Sequence, residues 1–115
     1  MSFLSELTTL LDGTGVPVET GVFSGRAPDR YAVLTPVADV YDLFSDNGPG
    51  QDVEEVRISL FDKGNYLAVK KRLETALLSA EITITERRYI GRDDNTGYHH
   101  YAIDVAKNYE IQEET

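Results

Sequence analysis

The stretch EEVRISLFDKGNYLAVKKRLETALLSA, residues 54–80, changes its hydrophobic period part-way along, and that change decides the fold class. Val56, Ile58 and Leu60 alternate with Glu55, Arg57 and Ser59, the period of two expected of a strand with one buried face. From Asn65 the spacing lengthens. Tyr66, Val69, Leu73, Ala76, Leu77 and Ala80 recur as one helical stripe, with Lys70, Lys71 and Glu74 off it and Asn65 placed as N-cap. A strand running into an amphipathic helix predicts that the helix lays its stripe on one face of a sheet.

Working toward the C-terminus, Ile82 to Ile90 reads as a further strand and Gly91 to Gly97 as a hairpin loop. Tyr98 to Ala106 is the returning strand, in which Tyr101, Ile103 and Val105 face one way and His100, Ala102 and Asp104 the other. Residues 110–115, beginning at Glu110, read as a frayed acidic tail after a single domain over 1–109.

Toward the N-terminus, Ser45 to Asp52 reads as a mobile loop, because Gly48, Pro49 and Gly50 punctuate it and nothing strongly apolar interrupts it. Tyr31 to Leu34 and Val37 to Phe44 are β-rich, interrupted by Pro36, and predict two strands or one bent strand at a sheet edge. Gly13 to Arg30 is rich in glycine and proline and reads as a surface excursion with at most a short strand near Val16 to Val22. Ser2 caps an opening helix carrying Phe3, Leu4, Leu7, Leu10 and Leu11, stopped near Gly13. The expected architecture is α+β, a mostly antiparallel sheet with two helices in the order αβββαββ, since the alternation that builds parallel crossovers is absent.

Composition narrows the chemistry. The chain has 115 residues, 41% of them hydrophobic, enough for one modest core. Without cysteine there is no disulfide framework, thiolate nucleophile or cysteine-based metal site. Residues Met1 to Leu11 lack a basic segment and a long apolar run, so neither signal peptide nor membrane span is expected, and the chain reads as cytoplasmic. A formal net charge of -9 argues against nucleic acid as a partner, and Arg87, Arg88 and Arg92 are expected to pair with neighbouring carboxylates.

Catalytic, cofactor and metal sites are all expected to be none. His99 and His100 are adjacent on a strand, point to opposite faces and cannot readily share one ion. Asp93-Asp94-Asn95 lacks the glycine and terminal glutamate of a calcium loop. Gly13-Thr14-Gly15 and Gly48-Pro49-Gly50 lack the Lys-Ser/Thr ending of a phosphate loop. Seven tyrosines and sheet edges broken by Pro36 point instead to interaction.

Arg30 to Thr35, Val56 to Asp62 leading into Gly64-Asn65-Tyr66, the helix ending Leu77-Leu78, and Arg88 to Tyr101 together resemble the tail-completion proteins of bacteriophages and prophages. The most telling segment is Tyr89 to Tyr101, a hairpin whose second strand comes after Thr96-Gly97 and carries Tyr98-His99-His100. The resemblance implies a tail-terminator-like fold and a ring-like homo-oligomer, a hexamer, at the end of the tail tube. It implies tail-tube and head-connector partners, and a place in the virion neck after assembly in the host cytoplasm. It supplies no catalytic residues.

The expected interface loops are Asp46, Asn47, Gly48 and Gly50 in the first loop and Arg92, Asp93, Asp94 and Asn95 at the hairpin tip. Two alternatives from other classes stand beside this reading. One is a small acidic regulatory protein that binds a basic partner; the other is a small enzyme using a carboxylate pair.

Overall fold

A computed structural model describes residues 2–21, 25–45 and 48–110, with the backbone alone for 39–45, 48–52 and 109–110. The elements are α1 (Phe3–Asp12), β1 (Val18–Thr20), β2 (Arg30–Ser45), β3 (Gly48–Asp62), α2 (Tyr66–Ser79), β4 (Thr83–Arg92) and β5 (His99–Glu110). The order is αβββαββ and the class α+β, as the sequence predicts. The strands form a single sheet in the order β1-β2-β3-β5-β4, antiparallel except for the short parallel pair β1-β2.

Local signals place both helices. Ser2 Oγ accepts the Ser5 backbone N–H at 3.1 Å and starts α1, while Asn65 Oδ1 accepts that of Ala68 at 3.3 Å and starts α2. The end of α2 is a paired cap: the Ile82 N–H donates to the Leu77 carbonyl and the Glu81 N–H to that of Leu78, each at 3.0 Å. This cap holds Glu81 at φ 61°, a left-handed conformation usually given to glycine.

The stripes then meet the sheet. Phe3, Leu7 and Leu11 of α1 and Val69, Leu73 and Leu77 of α2 are buried with Leu34 of β2, Val56, Ile58 and Leu60 of β3, and Ile103 and Val105 of β5. Register aligns these layers, with Leu34 opposite Ile58 and Ile58 opposite Ile103. Both helices therefore cover one sheet face.

Two readings left open by the sequence are settled, and two boundaries differ from it. Of two strands or one bent strand around Pro36, the structure has the single strand: β2 is continuous, and a bulge between Pro36 and Ala38 absorbs the missing N–H. The short strand allowed near Val16 to Val22 is β1, fixed by pairing Val18 to Thr20 with Ala32 to Leu34 rather than by its own propensity. Gly48 to Asp52, expected in a loop, belong to β3. Pro49 is tolerated because it sits opposite Leu43, between two register shifts where the ladder is already irregular. Finally, β5 reaches Glu110 because Gln51 pairs with it, whereas residues 111–115 lie outside the described residues.

These extensions make the molecule long. Its extents are 53 × 24 × 24 Å, and its Cα radius of gyration of 15.8 Å exceeds the roughly 13 Å of a compact chain of this length. The excess is an arm, the β2-β3 hairpin beyond Thr35 and Val56, joined on one side by the end of β5.

Candidate functional site

With the helices on one face, the opposite sheet face, the two sheet edges and the β4-β5 turn stay open among the described residues. On the open face, Tyr31 and Phe61 stack at 5.0 Å between ring centroids, and Phe61 stacks on His100 at 4.4 Å. Tyr98 meets Tyr31 edge-on at 5.4 Å, and its hydroxyl donates to the Pro28 carbonyl at 2.5 Å. Burial raises the Tyr31 pKa, and the neighbouring Tyr98 adds to that. With Ile90 and Arg92 of β4 and the turn residues Asp93 and Thr96, these rings line a shallow cavity of about 470 Å³.

The sheet is fastened by ion pairs, Arg57–Asp104 on the open face and Arg30–Asp62 on the helix side. Arg57 of β3 donates to both carboxylate oxygens of Asp104 on β5 at 2.8 and 3.0 Å, which raises its pKa further and keeps the guanidinium charged. Arg30 Nε donates at 2.8 Å to Asp62, whose other oxygen accepts the Gly64 N–H at 2.7 Å; Asp62 is only 2% exposed. These carboxylates are occupied in holding strands and a turn together. Among the described residues no cluster of three or more histidines or carboxylates could hold a metal ion.

As expected, His99 and His100 face opposite ways. His99 Nδ1 lies 2.9 Å from the Tyr89 hydroxyl, beside Tyr66 on the helix side, whereas His100 joins the open-face rings. Desolvation pushes the His100 pKa down, with the Arg57 charge assisting, and its Nε2 is buried with no hydrogen-bond partner among the described residues.

Among the expected interface residues, Arg92 ends β4, and Asp93, Asp94 and Asn95 form the turn after it. The turn is well tied. Asp93 accepts the Asn95 N–H at 2.9 Å, which above all holds its carboxyl below the ordinary range, and Gly97 closes it at φ 82°. Arg92 pairs with Asp94 at 3.0 Å, Arg88 with Glu86 at 3.0 Å and Arg87 with Glu74 at 3.2 Å, all three arginines paired as anticipated. Gly48 and Gly50 lie in β3, not in a loop; Asp46 and Asn47 lie outside the described residues.

The fold has a solved counterpart. A chain in the virion of a native gene transfer agent particle matches with a TM-score of 0.50 and 15% identity, covering 91% of this chain and 84% of that one. At that identity the likeness is one of fold. No protein-family model and no curated protein matches the chain.

The open-face aromatic cluster and the arm are the features that sequence reasoning missed. Tyr31, Phe61 and His100 come from β2, β3 and β5, and only the register Tyr31-Phe61-His100 brings them side by side. Alternation on each strand carries the signal, but not which strands become neighbours.

Proposed function

We propose that this chain is a structural, non-enzymatic component of a phage or phage-derived particle, a tail-completion protein that closes the tail tube as a ring and meets the head connector. The observation that carries the reading is the match over most of both chains to a chain from a gene transfer agent virion. The sequence resemblance to tail-completion proteins narrows that reading to the neck, and a six-membered ring comes from the same resemblance. The geometry is compatible with assembly: ion pairs fix the body, both sheet edges are open among the described residues, and an arm extends beyond the core.

In this mechanism each subunit contributes fixed surfaces and no chemical step. A heterologous contact repeated around a closed ring ends growth, because the last subunit satisfies the first. The β4-β5 turn, held by Asp93 and Gly97, presents Arg92, Asp94 and Asn95 as a preformed contact rather than one ordered on docking.

Purified chain added to purified tail tubes tests this. Labelled protein should decorate one tube end, with its mass by light scattering rising to a ring, and particles made without the chain should carry unjoined or overlong tails. Normal joined particles in its absence would refute the proposal.

A further inference from the structure

We infer that the subunits join by continuing one sheet into the next, the outer edge of β4 in one copy pairing with the outer edge of β2's arm in another. This rests on the ring-assembly reading above and names its contact. Among the described residues the sheet order leaves β4 bonded to β5 alone. On the opposite side β1 pairs with β2 only as far as Leu34, so from Thr35 to Ser45 the outer edge of β2 has no strand beside it among the described residues. Two open edges therefore bound the same sheet, and such edges offer unpaired N–H and C=O groups to another strand.

Charge decides which edge meets which. From Tyr31 to Val56 there is no lysine or arginine, and Asp39 and Asp42 lie on the arm's β2 strand. In contrast β4 carries Arg87, Arg88 and Arg92 against a single acid, Glu86. The ion pairs of Arg88 and Arg92 are at exposed sites, where such pairs are weak and exchangeable, whereas Arg87 is held by the half-buried Glu74 of α2. Pairing β4 with a second β4 would set arginines against arginines, and pairing arm with arm would set acids against acids. Both symmetric pairings are disfavoured, which leaves the heterologous one, the kind that closes rings or builds filaments.

Each edge also exposes apolar side chains that a neighbour would cover. Val37 is 56% exposed on β2, and Tyr89 and Ile90 are 44% and 48% exposed on β4. The bulges at Ile84/Glu86 and Tyr89/Gly91 confine regular pairing on β4 to Glu86 to Tyr89. A short, charged edge of that kind resists indiscriminate pairing and admits an acidic strand.

Charge reversal of each edge tests this. An edge variant, Arg88→Glu with Arg92→Glu, and an arm variant, Asp39→Lys with Asp42→Lys, should each lose assembly on tail tubes at least tenfold at low salt. Mixed in equal amounts they should recover it, because each then offers the other an opposite charge, and recovery also shows that both are folded. Should either variant fold poorly, the cysteine-free chain allows single Asp42→Cys and Arg88→Cys variants to be joined by a short bismaleimide linker. Crosslinks should form between the two variants when mixed and not within either alone. Wild type that assembles while both charge variants assemble equally well, or crosslinks that form only within one variant, would overturn this contact and leave the ring reading standing. Wild type that stays monomeric with and without tubes would overturn both.

Discussion

Glu81 shows how one residue can carry strain that its neighbours impose. The paired cap at the end of α2 requires a left-handed residue there, and an L side chain in that conformation costs roughly 1–2 kcal/mol. Part of this returns as lost chain entropy when glycine is introduced, so Glu81→Gly should raise stability by about 0.5–1 kcal/mol. An unchanged or lower urea midpoint would show that the Glu81 side chain compensates. His100 makes a second residue-scale prediction. Its pKa in the folded chain lies below the ordinary 6.5, so below that pH the unfolded chain takes up the proton first. The unfolded state binds more protons there, and stability falls as the pH drops through 6.5 toward the folded value. His100→Phe keeps a ring stacked on Phe61 and removes the proton site. Between pH 7 and pH 5 it should lose less stability than wild type in paired thermal melts; parallel losses would assign the acid sensitivity to carboxylates alone.

At the scale of elements, α2 separates a buried stripe from an exposed face, and the two should respond differently to substitution. Leu73 is fully buried under the sheet, so Leu73→Ala should cost about 2–5 kcal/mol, whereas Leu78→Ala, at a site 62% exposed, should stay within about 0.5 kcal/mol. Comparable losses at both sites in urea unfolding would mean that the outer face is packed in solution. The helices were legible because their information is local: Asn65 caps the helix that begins at Tyr66, and the spacing Val69-Leu73-Leu77 states which side is buried. The central strands were legible for the same reason, Val56, Ile58 and Leu60 alternating as a half-buried strand must. The ends of β3 were not. Gly48, Pro49 and Gly50 carry breaker chemistry, and they become strand because two partners, β2 and β5, supply the ladder. The aromatic face was hidden in the same way, since Tyr31, Phe61 and His100 are adjacent only once register is known.

For the whole molecule, the arm and the core are separate in the places that matter for stability. Among the residues whose side chains are described, the buried core residues of β2 and β3 lie at or before Leu34 or at or after Val56, the part of the hairpin nearest the helices. Removing the arm should therefore leave the domain folded and take away a surface. In a variant with residues 40–53 replaced by an Asn-Gly turn, Asp39 and Glu54, which face each other in the ladder, are bridged by the type of two-residue connection that hairpins favour. Lys107, which pairs with Glu6 of α1, keeps the end of β5 tethered to the body. This variant should melt cooperatively within a few degrees of wild type and show by small-angle scattering a radius of gyration below that of wild type, toward the roughly 13 Å expected of a compact chain of this size. It should also fail to assemble on tail tubes, because one of the two sheet edges is gone. A variant that melts without cooperativity would make the arm part of the folding unit. One that folds, shortens and still assembles would place the subunit contact elsewhere on the body.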